Sequence, residues 1–319
     1  MRAVRLPLPV VEASIKPFYR LALDARLPVR VQRALLDLAA PIQTLPDGTV
    51  VERTTLAGRP AERITVGATE RRHAVLYLHG GAYTIGSLGT HRSLAAYLAR
   101  ESASAVYTLD YRLAPEHPFP AALDDAVAAF IELVTDHGFT SDRVAVAGDS
   151  AGGGLALATA RRLIDTRGLA PAALALISPW VDPGSREAPF DRDTVVNTAW
   201  AHSSAGAYLG GGDPADPGYA PLHGDPAGLP PTAVHVGTAE VLYPQIVELA
   251  ARLRAAGNRL HYVEYPRLWH VAHLQASLLG EAADAVADLG GFPEQRRLQV
   301  RDVPQAWVLH VVETVPRRA

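Results

Sequence analysis

The sequence of 319 residues predicts an α/β protein in which helices flank a mostly parallel central sheet. Three observations favour this class. Apolar runs of four to six residues alternate with amphipathic helical segments, a pattern typical of strands that are buried on both faces. A tight glycine-rich turn joins one of these strands to a helix. Finally, 48% hydrophobic and 20% charged residues provide enough apolar material for a large core.

Two helices are predicted before the first strand, Ser14–Asp24 and Val29–Ala39, because their apolar residues recur at helical spacing. Residues 1–45 are therefore interpreted as cap helices, with a simple packing arm as the alternative. Val50–Leu56 and Ala61–Val66 alternate in β fashion on either side of a glycine-containing turn. They predict a hairpin that forms an antiparallel edge of the sheet.

Strands and helices alternate through the rest of the main predicted domain, which spans residues 46–292. The predicted strands are Ala74–Leu78, Ala105–Asp110, Val144–Ala147, Ala173–Ile177, Ala233–Val236 and Leu260–Tyr265. The predicted helices are Arg92–Ser102, Ala121–His137, Leu155–Thr166, Ile246–Ala256 and Ala276–Leu289.

The interval between Pro179 and Pro231 interrupts this alternation, since it is rich in Pro, Gly and Asp and predicts one helix, Thr194–Tyr208. Insertions of this size in α/β domains usually lie over the C-terminal edge of the strands. The part at about residues 183–228 is therefore predicted to complete a helical cap. Residues 293–319 form a tail to which we assign no role, and a further strand is possible there at Ala306–Val312.

Composition excludes several classes of function. A net charge of −3 without a basic run argues against a nucleic-acid partner. The absence of cysteine excludes disulfides, thiolate metal sites and a cysteine nucleophile. No apolar stretch reaches membrane-spanning length, and proline interrupts the N-terminal apolar run. We therefore expect no signal peptide, no stable membrane association and a cytoplasmic location.

The run Gly148-Asp149-Ser150-Ala151-Gly152 lies between a predicted strand and a predicted helix, the context of a G-x-S-x-G nucleophile elbow. A serine in a strained turn needs neighbours without bulk, because the helix leaves close beside the strand. A plain Gly/Ser/Ala turn would fit the same five-residue pattern. The function of Ser150 therefore depends on the presence of partner residues.

Acyl transfer by a serine requires a base, an acid that orients the base, and donors for the oxyanion. Glu240 follows the strand after the insertion, and His270 follows the next strand, in the chain order of α/β hydrolases. His273 is the rival base. The remaining histidines are interpreted as loop, surface or packing residues: His73, His91, His117, His137, His202, His223, His235, His261 and His310.

The segment His79-Gly80-Gly81-Ala82-Tyr83 directly follows a predicted strand. Backbone with little side-chain bulk can turn N–H groups toward a reacting carbonyl, so this loop is the candidate oxyanion hole. A simple Gly-Gly turn is the alternative.

These motifs, together with Gly86-Ser87 and the stretch from Asp110 to Ala122, resemble the bacterial hormone-sensitive-lipase-like esterases. This is the GDSAG group, family IV of the bacterial lipolytic enzymes, and it has the α/β-hydrolase fold. The resemblance covers about residues 20–290. It implies Ser150 as nucleophile, Glu240 as acid and His270 as base. It also implies an oxyanion hole made by the N–H groups of Gly81, Ala82 and Ala151, with Gly80 shaping the loop.

The resemblance further implies short- to medium-chain acyl esters as small-molecule substrates, with neither metal nor cofactor. Tyr83, Asp149 and Trp180 are expected at the substrate site, and Asp149 is expected to brace the elbow against the oxyanion loop. Relatives often dimerise through a late strand, which leaves a homodimer open. An amidase, formamidase, lactonase or carbamate hydrolase would need the same triad. Plant gibberellin receptors resemble the family as well, but they bind a ligand without catalysis and lack the base.

The sequence departs from the family at three positions. Ala82 stands where a third glycine is usual, and its methyl group is tolerable if φ stays negative. The acid is Glu240 where many members have Asp. Ala272 replaces an aromatic residue that often follows the base, which would widen the wall of the site.

Overall fold

The computed structural model describes residues 5–68, 70–187 and 193–298, with side chains described as far as Phe292. Within these residues the strands are β1 (Thr49–Leu56), β2 (Arg59–Val66), β3 (Ala74–Leu78), β4 (Ala105–Leu109), β5 (Val144–Asp149), β6 (Leu174–Ile177), β7 (Thr232–Gly237) and β8 (Leu260–Tyr265). The helices are α1 (Leu8–Ala22), α2 (Val29–Ala39), α3 (Leu88–Glu101), α4 (Ala121–Thr135), α5 (Ala151–Arg167), α6 (Thr198–Leu209), α7 (Tyr243–Ala255) and α8 (Gly280–Leu298).

The strands form one sheet of eight in the order β1-β2-β4-β3-β5-β6-β7-β8. The β1–β2 and β2–β4 pairs are antiparallel, and the remaining pairs are parallel. The predicted fold class and the antiparallel hairpin edge are therefore confirmed. Because parallel strands end at the same edge, the loops after β3, β5, β7 and β8 converge there.

Helices cover both faces of the sheet. Leu76 and Leu78 of β3 point into a core that contains residues of α4, α5 and α7. Val75 and Tyr77 point to the other face, where α3 and α8 pack. Burial on both faces explains why β3 is uniformly apolar and why every residue of β4 is buried, without the alternation of a half-exposed strand.

Helix α5 begins at Ala151, earlier than the predicted start at Leu155. Glycine disfavours helices, which is why the sequence predicts the later start. Here the glycines permit close packing: a Cβ on Gly152 would lie 2.0 Å from the Leu78 carbonyl oxygen, and one on Gly154 would lie 2.1 Å from that of Trp180.

The starts of α3, α7 and α8 differ from the predictions by three or four residues, and those of α1 and α6 differ for local reasons. Helix α1 begins at Leu8 rather than Ser14, because Pro9 falls in the first turn, where its missing N–H costs no intrahelical bond. Helix α6 begins at Thr198 rather than Thr194, because the Asn197 side chain caps it by accepting the Trp200 N–H at 2.9 Å.

The N-terminal helices contact the insertion that follows β6. Trp200 Nε1 donates to Gln32 Oε1 at 2.9 Å, and Asn197 Nδ2 donates to the Leu23 carbonyl at 3.0 Å. Arg33 of α2 donates to the Thr84 carbonyl at 2.8 Å and to Glu116 at 2.8 Å, so it also fixes α2 to the loop after β3. The two segments predicted as cap therefore pack against each other.

The last helix continues to Leu298, so the boundary predicted at residue 293 falls inside it. The possible strand Ala306–Val312 lies outside the described residues. No helix in the described ranges is both long enough and apolar enough to span a membrane.

Candidate active site

Ser150 occupies a strained turn between β5 and α5, with φ +53° and ψ −122°. Its N–H donates to the Ile177 carbonyl at 2.8 Å, and its own carbonyl accepts the Trp180 N–H at 2.7 Å. A Cβ on Gly148 would lie 2.3 Å from the Gly152 carbonyl oxygen, so glycine is required where the helix passes the strand. Backbone strain of this kind persists only where surrounding contacts hold it. The turn has the geometry of a nucleophile elbow.

Ser150, His270 and Glu240 form one hydrogen-bonded chain. Ser150 Oγ lies 2.8 Å from His270 Nε2, and His270 Nδ1 lies 2.6 Å from Glu240 Oε2. An ionised carboxylate only accepts hydrogen bonds, which assigns the proton to Nδ1 and leaves Nε2 to accept from the serine hydroxyl. Glu240 Oε1 also accepts the Gly237 N–H at 3.0 Å. The sequence predicted all three residues, and the structure brings them together.

The pKa of His270 is raised above its ordinary value. Burial alone would lower it, since the imidazole is 4% exposed and a charged ring is poorly solvated there. The hydrogen bond and negative charge of Glu240 outweigh burial, and the charges of Asp193 and Asp149 add to the effect. The site therefore stabilises an imidazolium between the carboxylate and the serine.

The turn after β8 separates the two candidate bases. Val271 has φ +52°, and its N–H donates to Ser178 Oγ at 3.2 Å. His273 points away from Ser150, with its Nε2 3.2 Å from His235 Nδ1. His270, and not its rival, therefore contacts the serine.

Asp193, in the insertion, also supports the site, and the sequence analysis missed it. Its Oδ1 accepts the N–H groups of Val195 and Val196, both at 2.6 Å. Its Oδ2 accepts the N–H of Val241, the residue after Glu240, at 3.3 Å. Burial raises the pKa of Asp193 to about 6. No motif distinguishes this aspartate among the several in the insertion, so the sequence contained no signal for it.

The loop after β3 has an unusual backbone, with φ +113° at Gly81, +51° at Ala82 and +60° at Tyr83. Ala82 therefore does not meet the condition that its φ stays negative, because this loop turns through the left-handed region. In the described part of the chain, the N–H groups of Gly81, Ala82 and Ala151 have no protein acceptor. Three backbone donors are thus free to bind a ligand oxygen.

Asp149 joins the elbow to this loop. Its Oδ1 accepts the Tyr77 hydroxyl at 2.7 Å and the Gly80 N–H at 3.0 Å, and its Oδ2 lies 3.3 Å from His91 Nε2. A Cβ on Gly80 would lie 2.2 Å from Asp149 Oδ2, which requires glycine there. Burial raises the pKa of Asp149, but His91 and the Tyr77 hydrogen bond outweigh it, so the net pKa is lowered. This anchored carboxylate has the contacts expected of a brace.

Tyr83 and Trp180 do not lie where a substrate-binding role requires. Tyr83 is 1% exposed and stacks on Tyr208 with ring centroids 3.6 Å apart, and the Trp180 ring lies 6.3 Å away. Neither side chain lines the cavity beside Ser150. Tyr83 packs against α6, Trp180 packs against Tyr83, and the position of each residue in the sequence does not reveal these contacts. Asp149, the third residue expected at this site, does line the cavity.

An apolar cavity of about 110 Å³ opens beside Ser150 and His270. Its walls come from the N-terminal helices, the loop after β3, the insertion and the turn after β8, and they include Tyr19, Leu23, Leu36, Ile85, Val196, Trp200 and Leu274. Its size and lining suit a small apolar group. Within the described ranges, the one set of three metal-ligand side chains lies outside this cavity, at His235, His261 and Asp288.

A sequence profile described as the alpha/beta hydrolase fold matches residues 75–274. The chain is similar to an acetyl-hydrolase of Streptomyces hygroscopicus, with 39% identity over 246 residues that cover 73% of this chain and 82% of the relative. It is also similar to an esterase of Acinetobacter venetianus, with 31% identity over 88% of this chain and 94% of the relative. These matches, with the fold, define an α/β hydrolase.

Among solved structures, an esterase from the bacterial hormone-sensitive lipase family superposes with a TM-score of 0.84 at 36% identity, covering 91% of this chain and 99% of that one. A hormone-sensitive lipase from a metagenome library gives a TM-score of 0.85 at 32% identity, covering 92% and 99%. The chain belongs to the α/β hydrolases and, within them, to the bacterial hormone-sensitive-lipase-like esterases.

Proposed function

We propose that the protein is a serine carboxylesterase in which Ser150 is the nucleophile, His270 the base and Glu240 the acid. The observation that carries the proposal is the continuous chain from Ser150 Oγ through His270 to Glu240, with distances of 2.8 Å and 2.6 Å, at the wall of an apolar cavity. The names of the similar proteins, acetyl-hydrolase and esterase, agree with this chemistry.

Catalysis begins when Ser150 Oγ attacks the ester carbonyl while His270 Nε2 takes the hydroxyl proton. Glu240 holds the ring by accepting from Nδ1 and stabilises the imidazolium that forms. The tetrahedral intermediate collapses, and the alcohol leaves with the proton from Nε2 to give an acyl-Ser150. Water then attacks the acyl group, with His270 again acting first as base and then as acid.

The oxyanion of each tetrahedral intermediate is bound by the N–H groups of Gly81, Ala82 and Ala151. Among the described residues these N–H groups have no protein acceptor, which supports this role. Gly80 shapes the loop, since its own N–H is bound to Asp149 at 3.0 Å. Asp149 acts as a positioning residue that fixes the oxyanion loop relative to Ser150.

Residues 1–45 and about 183–228 form the cap in this proposal, because their side chains line the cavity opposite the triad. The cavity volume of about 110 Å³ favours acyl groups of short to medium length. Amides, lactones and carbamates would need the same triad, so the leaving group must be determined by experiment.

The test is a hydrolysis panel of aryl esters with two to sixteen acyl carbons, assayed beside matched amides and lactones. We expect kcat/KM to be highest for short chains and to fall for long ones. Ser150→Ala should abolish turnover while leaving the thermal midpoint almost unchanged, because the side chain is small. Turnover that survives Ser150→Ala would overturn the proposal, and a preference for long emulsified esters would replace it with a lipase. Saturable binding without turnover of any class would favour a non-catalytic receptor.

A further inference from the structure

A second group of histidines lies on the face of the sheet that α8 covers. His235 belongs to β7, His261 to β8 and Asp288 to α8. In the β7–β8 register His261 pairs with Ala233, so it lies diagonally opposite His235 on the same face. Two rigid neighbouring strands and a helix packed over them therefore hold the three side chains.

The imidazoles converge on one carboxylate oxygen. His235 Nε2 lies 3.1 Å and His261 Nε2 lies 2.7 Å from Asp288 Oδ2, and all three ligand atoms lie within 4.8 Å of one another. Among the described residues, the ion-pair partners of Asp288 are these two histidines, with neither Arg nor Lys. In this part of the chain, Asp288 Oδ2 is thus shared by two imidazoles, which are themselves good metal ligands.

We propose that His235, His261 and Asp288 form a binding site for one divalent transition-metal ion of the Zn²⁺ type. Two imidazole nitrogens and one carboxylate oxygen are borderline ligands that suit Zn²⁺, Co²⁺ or Ni²⁺ better than Ca²⁺ or Mg²⁺. Tetrahedral Zn²⁺ with bonds of about 2.0–2.1 Å separates its ligand atoms by roughly 3.3 Å. The two nitrogen-to-carboxylate spacings, 3.1 Å and 2.7 Å, would therefore open by about 0.2 and 0.6 Å, and the two imidazole nitrogens, which lie within 4.8 Å of each other, would settle at the same separation.

The surroundings provide both access and support. The side chains of His261 and Asp288 are 29% and 34% exposed, so an ion and a coordinating water can reach them, whereas His235 is fully buried. The His261 ring stacks on Phe292 with centroids 5.7 Å apart, which fixes its orientation. The site is half-open, as expected for three protein ligands and a solvent molecule.

The other ring nitrogen of His235, Nδ1, already has hydrogen-bond partners. Its Nδ1 lies 3.2 Å from His273 Nε2 and 3.3 Å from the Tyr265 hydroxyl. Metal binding at Nε2 moves the ring proton to Nδ1, which then donates to one of these two atoms. In the described structure His273 Nδ1 is buried without a partner, so the proton arrangement of this pair is not fixed by other contacts. A metal-bound histidine commonly has such an outer acceptor.

The experiment uses untagged full-length protein and measures Zn²⁺ binding by calorimetry and by competition with a chromophoric chelator. Co²⁺ is the spectroscopic probe, because four-coordinate Co²⁺ gives intense visible absorption. We expect one ion per chain in the wild type, and a rise in thermal midpoint on adding Zn²⁺. Loss of an outer-shell partner weakens metal binding by about 10–100-fold, so His261→Ala and Asp288→Asn, which remove direct ligands, should weaken it by at least that factor.

His223→Ala is the matched control, because His223 forms a surface pair with Asp182 at 3.4 Å that has no second imidazole in the described structure. It should bind Zn²⁺ as the wild type does. Asp288→Asn preserves shape and a hydrogen-bond acceptor, so metal-free stability and ester hydrolysis should persist. The proposal is overturned if the wild type binds no Zn²⁺, or if both ligand variants bind it as tightly as the control. This outcome is independent of the esterase proposal, since neither ligand contacts the triad.

Discussion

His270 and His273 lie three residues apart in one turn and are both almost fully buried, yet they are opposite in electrostatic character. His270 lies between a carboxylate and a serine hydroxyl, and its pKa is raised. His273 faces another imidazole, His235, and has no carboxylate within hydrogen-bonding distance in the described structure. Burial and the neighbouring histidine place its pKa well below the ordinary value.

The difference shows what makes a buried histidine a base. Burial alone disfavours the imidazolium and yields a neutral packing residue. A carboxylate hydrogen-bonded to Nδ1 raises the pKa of the histidine instead of lowering it. It also fixes the tautomer in which Nε2 presents a lone pair to the nucleophile. The turn at Val271 directs His270 toward Glu240 and Ser150, and His273 toward His235.

The largest effect should come from deleting one histidine of the pair. His270→Ala should lower kcat by about 10⁶-fold, since removing the base from a serine triad leaves only binding and the oxyanion hole. His273→Gln, which keeps volume and a polar end, should change kcat/KM by less than about tenfold, because His273 does not touch the serine. Steady-state hydrolysis of a short aryl ester measures both, with circular dichroism as the folding control. Equal losses of activity in the two variants would contradict the conclusion that only His270 acts as the base.

Glu240→Gln tests the carboxylate alone. The amide can still contact Nδ1, but it cannot stabilise the imidazolium and no longer enforces the correct tautomer. We expect kcat to fall by about 10⁴-fold, as when the orienting acid of a serine triad is neutralised. Glu240→Asp is the matched variant, since it keeps the charge with a shorter reach, and should retain more activity. If Glu240→Gln kept wild-type kcat, Glu240 would not be the acid.

Much of the site could be predicted because its parts follow consecutive strands of a parallel sheet. Ser150, Glu240 and His270 each lie in the loop that follows a strand, and the ends of parallel strands share one edge, so chain order alone brings the loops together. The glycines of the elbow and of the loop after β3 also carried a direct steric signal. The triad residues and these glycines could be predicted because their roles depend on where the backbone places them.

Side-chain direction and contacts across the chain could not be predicted. Tyr83 and Trp180 follow the right strands, but Tyr83 stacks on Tyr208, Trp180 stacks on Tyr83, and neither side chain lines the cavity. Asp193 contributes through backbone N–H groups that no sequence pattern marks. His235 and His261 were interpreted as packing or loop residues, because their shared partner Asp288 lies in a helix distant in sequence. Such groupings depend on the register of β7 and β8 and on where α8 crosses them.

The smallest effect, and the sharpest test of the comparison, is the pH dependence of kcat/KM, which reports ionisations of the free enzyme. Only neutral His270 can take the serine proton, so activity is lost as the pH falls through its pKa. Because that pKa is raised above the ordinary 6.5, the acidic limb should have its midpoint above pH 6.5.

Asp193→Asn removes one of the negative charges that raise the pKa of His270, so the midpoint should move to lower pH. His273→Gln should leave it in place, because His273 stays neutral across the whole limb. A limb that moved with His273 and not with Asp193 would mean that the titrating base is the other histidine.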